Sequence, residues 1–298
     1  SDTTIDATTL ASTIDAYDSI NGSGTTDMTL ASGATINVAA SEVTHMLLDE
    51  TQNRLDISDQ NIVVTGDISV DNANLLSATT TGTVTASITT TESITELKTL
   101  TGTSNAYTIV ISSTDATATA EDLSEIDGKT TVTIDATEVT AISGTYDQIT
   151  TLYDSAGVSN LGNEAIDLSG DLNVTQANVI DGLTGGAITA TITTARVSEL
   201  VGGTPLLNAN NNNAYTIAIS SEDAAVSASD LNTINDTTTV AVDLTNVTSL
   251  TSSSLVDLGT LSTAIGLNQF SNDSGITTIA VSDTTIDATT LASTIDAY

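Results

Sequence analysis

Carboxylates recur four residues apart as Asp67/Asp71, Asp167/Asp171 and Asp283/Asp287, with a further pair at Asp2/Asp6. Hard oxygen ligands of this kind are what Ca2+ takes, so these pairs are the candidate metal ligands and Ca2+ the candidate cofactor. The competing reading gives each pair two ordinary duties, one Asp capping a helix and the other facing water. Neither an EF-hand loop nor a Gly-Gly-x-Gly-x-Asp nonapeptide occurs. Diffuse screening of an acidic surface by salt is therefore expected ahead of a defined site.

Other chemistry lacks its components. The single histidine, His45, sits in Ser41-Glu-Val-Thr-His-Met-Leu-Leu, which reads as an ordinary helix, and cysteine is absent. Nucleophilic triads and His- or Cys-based metal sites thus have no parts to work with. No Gly-rich phosphate loop or Gly-x-Ser-x-Gly elbow is present, so no catalytic or cofactor-binding residue is assigned and no enzymatic role is expected.

Lys and Arg number 4 against 38 Asp and Glu, a formal charge of −34. Arg54, Lys98, Lys129 and Arg196 stand apart from one another, whereas phosphate binding needs clustered cations, so nucleic acid and anionic membrane surfaces are unfavoured partners. High charge with 2% aromatic residues is also the composition of disorder, but 39% of residues are apolar and are spaced regularly along the chain, enough for a thin continuous core. No apolar run approaches the roughly 18 residues that span a bilayer.

Repetition organises what must position these residues. Residues 1–17, Ser-Asp-Thr-Thr-Ile-Asp-Ala-Thr-Thr-Leu-Ala-Ser-Thr-Ile-Asp-Ala-Tyr, recur letter for letter as residues 282–298. The expectation is one full period of a tandem array over 1–281, with 282–298 starting the next identical period. Divergent sub-repeats lie near 66–169 and 170–281. Ala106–Ser143 realigns without gaps on Ala214–Thr251, and Gly66-Asp-Ile-Ser-Val on Gly170-Asp-Leu-Asn-Val. A period of this kind changes the fold class before any single element is assigned.

A shorter motif runs through these units: an apolar residue, then Asp, Ser or Thr, two small residues, often an acid or Asn, an apolar residue, and another apolar residue three or four further on. It occurs at Ile5-Asp6, Val38-Ala39, Val70-Asp71, Ala118-Thr119, Ile134-Asp135, Val174-Thr175, Ile192-Thr193, Val226-Ser227 and Val242-Asp243, and at Ile88-Thr89 with one extra residue, reaching Glu92 and Ile94. An N-cap oxygen contributes about 0.5–2 kcal/mol, the acid three residues on can return the bond, and the flanking apolar pair forms a staple. A short helix is expected at nearly every instance. Helices are also expected over Tyr146–Tyr153 and Leu255–Ile265, and a surface loop over Gly202–Asn213, which carries Pro205 and the run Asn210–Asn213.

Alternation of Thr with Ile or Val predicts strands starting at Val84, Tyr107, Thr131, Ala165, Ile188, Tyr215 and Val240. A strand and a short capped helix at such spacing predict an α/β repeat solenoid, leucine-rich-repeat-like, with parallel strands. The alternative is an all-β solenoid in which the helices are corners. Stacked strands lie about 4.7–4.9 Å apart, so some ten of them give a period about 50 Å long.

Val226-Ser-Ala-Ser-Asp-Leu-Asn-Thr-Ile-Asn, Thr131-Val-Thr-Ile-Asp-Ala-Thr-Glu-Val-Thr-Ala-Ile-Ser-Gly and Asn105-Ala-Tyr-Thr-Ile resemble repeats of giant Thr/Asp-rich tandem-repeat cell-surface proteins of marine cyanobacteria. The resemblance implies an extracellular or cell-surface polypeptide with structural, adhesive or motility-associated duty, and it carries over no site residue. The expected role is a structural repeat segment of a very large filamentous protein, giving length, stiffness and an acidic hydrated surface. Its expected partners are further copies of the repeat in the same chain and laterally associated identical chains. The alternatives are an adhesin stalk that binds glycan or neighbouring filaments, and a calcium-dependent surface-layer module.

Overall fold

The computed structural model describes residues 4–6, 8–10, 12–13, 28–202 and 212–295. The chain divides into two compact units, Ser1–Val139 with Thr151–Leu161, and Thr140–Thr150 with Gly162–Tyr298. Asp2, Ile14 and most of the loop expected around Pro205 lie outside the described residues.

In the first unit, strands Thr4–Asp6, Thr35–Ala39, Asn61–Ile68, Val84–Ile88 and Ala106–Thr108 form one sheet in chain order. Every one of these pairings is parallel. Parallel neighbours need a crossover, and helices Val70–Thr79 and Ile94–Leu97 supply two of them. The register sets like on like. Ile36 lies opposite Ile62 and Ile62 opposite Val84, and all three are fully buried. Residues that repeat their type at each step thus make the core a continuous apolar ladder.

The second unit repeats the scheme. Strands Ala141–Gly144, Ala165–Leu172, Ile188–Ile192 and Ala214–Thr216 pair in parallel and in order, with Ile142, Ile166 and Ile188 in line. A further parallel set comprises Ala225–Val226, Ser249–Ser253 and Thr278–Val281, where Val226, Leu250 and Ile279 align. Strands Asn61–Ile68 and Ala165–Leu172 each break register around a glycine, Gly66 at φ 91° and Gly170 at φ 89°. A Cβ is disfavoured at such φ, which explains why Gly survives in both copies.

The protein is a mixed α/β molecule with several parallel sheets and helices between strands, which disfavours the all-β alternative. Helix starts sort into three groups. Thr119 and Ser227 cap as expected, their hydroxyls accepting the amides of Asp122 and Asp230, and Asp6 accepts the amide of Thr9. At Val70 and Val174 the cap lies two residues earlier than expected: Ser69 and Asn173 take the role. Ser93 and Arg196 precede helices that start later than the motifs at Thr89 and Thr193.

The third group corrects the expectation outright. After Asp135 and Asp243 no helix forms. Each carboxylate instead accepts the amide two residues on, from Thr137 and Thr245 at 2.9 Å, closing an Asx turn before the strands at Ala141 and Ser249. The strands expected at Thr131 and Val240 accordingly begin at Ile134 and Val242. Tyr146–Asp154 and Leu255–Gly266 are helical as read.

Candidate functional site

The paired carboxylates do not occupy equivalent places. Asp67 lies in a strand and Asp71 in the first turn of the following helix, while Asp167 and Asp171 share one strand on either side of the Gly170 break. All four side chains are exposed. The third pair splits its duties: Asp287 accepts the amides of Thr289 and Thr290 at 2.9 and 3.1 Å, and Asp283 accepts that of Leu255 at 2.7 Å. The backbone amides of Thr290 and Thr289 hold the Asp287 carboxyl below its usual range. Among the described residues no three His, Asp or Glu side chains converge on a point where a cation could sit.

The Asp283–Leu255 bond belongs to a wider pattern. The first amide of helix Val70–Thr79 is bound by Glu92 at 3.1 Å, that of Ile94–Leu97 by Asp115 at 3.0 Å, and that of Val197–Val201 by Asp223 at 2.8 Å. Ala228 finds a hydroxyl instead, Ser253 Oγ at 2.9 Å. In each case the acceptor lies 21 to 28 residues further along the chain. An α-helix leaves its first amides without intrahelical partners, and a carboxylate also suits the positive end of the helix dipole. Part of the acidity is therefore an interface device: the helices starting at Val70, Ile94 and Leu255 each take one cap from the local sequence and a second, acidic one from the next strand–helix segment. A local motif cannot reveal an acceptor so distant in sequence.

Buried and half-buried threonines repeat the logic between segments. Thr80, Thr130, Thr184 and Thr238 each donate to a carbonyl 20 to 23 residues back, at 2.6–2.7 Å. Each hydroxyl also accepts the amide two residues on, from Gly82, Val132, Gly186 and Val240. At Gly82 and Gly186 a Cβ would fall 2.1 and 2.3 Å from the carbonyl oxygens of Gln60 and Glu164, so the preceding segment approaches too closely for any side chain.

Asn105 and Asn213 are buried and bind across segments. Their side-chain oxygens accept the amides of Val84 and Ile188, both at 2.9 Å, and their nitrogens donate to the hydroxyls of Tyr107 and Tyr215. Burial raises both phenols, helped at Tyr215 by the negative charge of Asp181. Asp135 and Asp243 complete the set. Asn160 and Asn272, each in the left-handed region, donate to them at 2.8 and 2.9 Å. The Thr137 hydroxyl with the Asn160 amide, and the Asn272 amide with the Thr245 hydroxyl, hold these carboxyls below their ordinary range. A Ser-Asn dipeptide after a short apolar strand end, at Ser159 and Ser271, is the sequence signal for this contact.

The cations are spent on acids. Lys98 reaches Asp122 at 2.6 Å and Glu125 at 3.2 Å, and these partners raise its pKa. Lys129 lies 3.9 Å from Glu125, Arg54 pairs with the buried Asp49, and Arg196 pairs with Glu222. His45 sits on helix Val43–Thr51 with Nδ1 3.6 Å from Asp49.

In the second unit an open groove of about 700 Å3 runs between helix Val174–Asp181 and residues 193–202. Thr175, Asn178, Thr193 and Thr194 give it neutral hydroxyl and amide walls. Its carboxylate, Glu199, accepts the amide of Arg196 at 3.0 Å. The groove can offer hydrogen bonds to a polar ligand. Comparison with protein-family models, curated proteins and solved structures finds no match to this chain.

Proposed function

We propose that the chain is a structural repeat segment of a very large extracellular or cell-surface filamentous protein, a solenoid whose duty is length, stiffness and an acidic hydrated surface. The observation that carries the reading is the direction of its bonding. Strands, buried Thr and Asn side chains and second helix caps alike find partners one strand–helix segment away. Stability that resides in nearest-neighbour interfaces suits a thread that grows by adding segments. The recurrence of residues 1–17 at 282–298 supports further tandem copies as the immediate partners.

The charge of −34 gives such a thread a repulsive, hydrated surface whose range shrinks as salt rises, so lateral association of like threads is favoured at high ionic strength. Cations already paired with acids speak against nucleic acid. Among the described residues no helix is long and apolar enough to cross a membrane. The groove beside Asn178 and Thr193 favours, as a second reading, an adhesin stalk that holds a polar ligand through neutral side chains.

Small-angle scattering on chains carrying one, two and three copies of residues 1–281 tests the main reading. The expected maximum dimension rises by equal steps of about 50 Å, the thickness of some ten stacked strands, at constant cross-section. Growth in all directions, with a widening cross-section, would overturn it.

A further inference from the structure

Strand Thr4–Asp6 pairs in parallel with Thr35–Asn37, setting Thr4 opposite Thr35 and Asp6 opposite Asn37. The same letters return as Thr285-Ile286-Asp287, and both copies start a helix the same way. Asp6 accepts the amide of Thr9 at 3.1 Å, and Asp287 accepts that of Thr290 at 3.1 Å. Their surroundings differ. Leu10 is 5% exposed, whereas its counterpart Leu291 is half-buried and Ile286 is 38% exposed. The second copy directly follows strand Thr278–Val281, which pairs with Ser249–Ser253 as the last strand of its sheet. One sequence therefore occurs twice, once with its partner strand in place and once with apolar side chains still uncovered.

We infer that residues 282–298 form a docking edge for a second copy of this chain, receiving that copy's Thr35–Asn37 in the register that Thr4–Asp6 now holds. The inference rests on the tandem reading proposed above. Because the incoming contacts reproduce existing ones residue for residue, exchange of segment 1–17 for segment 282–298 of a neighbour conserves the hydrogen bonds of the strand and the burial at Leu10. Strand Thr4–Asp6 holds the site in an intact chain through its high effective concentration. Removing it vacates the edge. The contact is heterologous, with one surface meeting a different one, so it propagates into open head-to-tail filaments and does not close as a two-fold dimer. An added parallel strand is a familiar mode of recognition between chains.

Sedimentation of residues 18–298 against the full 298-residue chain and against residues 1–281 tests the proposal. The shortened chain 18–298 is expected to form a ladder of multiples whose mean mass rises about two-fold or more with concentration, while the other two remain single. A peptide of residues 1–17 returns it to single chains. The chain lacks cysteine, so Thr35→Cys with Thr285→Cys in 18–298 gives a specific mark. Directly opposed strand residues lie within the Cα separation a disulfide accepts. The expected link joins position 35 of one molecule to position 285 of another, read from mixed isotopically labelled and unlabelled chains.

A folded 18–298 that stays single at every concentration overturns the proposal, as do links confined to one molecule. If 18–298 does not fold, the peptide must restore folding through the same edge, and failure to do so overturns it equally. A single-chain result beside equal length increments in the covalent tandem chains would sink the docking edge alone and leave the thread intact.

Discussion

Replacing Asn105 by Ala removes a side chain that ties three strand–helix segments together. Asn105 is 4% exposed; its oxygen accepts the Val84 amide at 2.9 Å, and its nitrogen donates to Ser77 Oγ at 3.0 Å and to the Tyr107 hydroxyl at 2.9 Å. The Val84 amide is buried, so stranding it costs about 1–3 kcal/mol. The Tyr107 hydroxyl keeps the carbonyl of Ala73 at 3.3 Å as acceptor, so losing its donor adds only about 0.5–1.5 kcal/mol. The sum is about 1.5–4.5 kcal/mol.

Local opening has its own free energy, which differs from one region of a fold to another and is read amide by amide. Native-state hydrogen exchange at the Val84 amide is the sharper assay. Exchange there is expected to accelerate about ten-fold or more, since each 1.4 kcal/mol is a factor of ten. Asn213→Ala should do the same to Ile188. Thr131→Val, which removes a 3.2 Å bond to the Asn105 carbonyl, is expected to cost less than about 1 kcal/mol. Unchanged protection at Val84 in the Asn105 variant would refute the claim that buried amide satisfaction across segments holds this region together.

Three further expectations follow from the same geometry. Gly82→Ala places a Cβ 2.1 Å from the Gln60 carbonyl oxygen and must push two segments apart, so a loss of about 1–3 kcal/mol in urea unfolding is expected. A cost below the scatter of surface substitutions would show that the close approach is not real. Asp135, Asp243 and Asp287 are held below their ordinary 3.8, so their contribution is complete above that pH and is lost as pH falls through the depressed values. Partial neutralisation of a −34 chain relieves self-repulsion first, so the melting temperature should rise from neutral pH to about pH 4–5 and collapse below; a steady fall from neutrality would contradict this. Finally, Ca2+ and NaCl matched in ionic strength should raise the melting temperature alike, with chelator inert, because acidic pairs such as Asp67/Asp71 and Asp167/Asp171 are exposed and unconverged; a saturable, stoichiometric Ca2+ response would restore them as ligands.

Legibility in the sequence followed the range of the interaction. Thr119 and Ser227 cap the helices assigned to them because a cap oxygen and its amide lie three residues apart, within any local pattern. Strand positions at Val84, Ala165 and Ile188 were legible for a similar reason, since alternation reports one buried face directly. The same motif at Asp135 and Asp243 yields turns. There the following residues are rich in β-branched types, Thr137, Val139, Thr140 and Ile142 in the first case, which favour strand over helix. The Asx bond to Thr137 or Thr245 then stops the backbone before a helix can nucleate.

Acids at Glu92, Asp115, Asp223 and Asp283 fall at the far end of that scale. Read locally, Glu92 is the third residue after a cap at Thr89, and Asp283 is half of a calcium pair; in the fold both bind the first amide of a helix more than twenty residues upstream. Nothing within either residue's own segment distinguishes that role from a solvated carboxylate. What betrays it is recurrence at the spacing of the strands themselves. An acidic composition that resembles disorder when counted is thus, at these positions, part of how one segment recognises the next, and removing a charge there should loosen an interface between segments before it loosens any single helix.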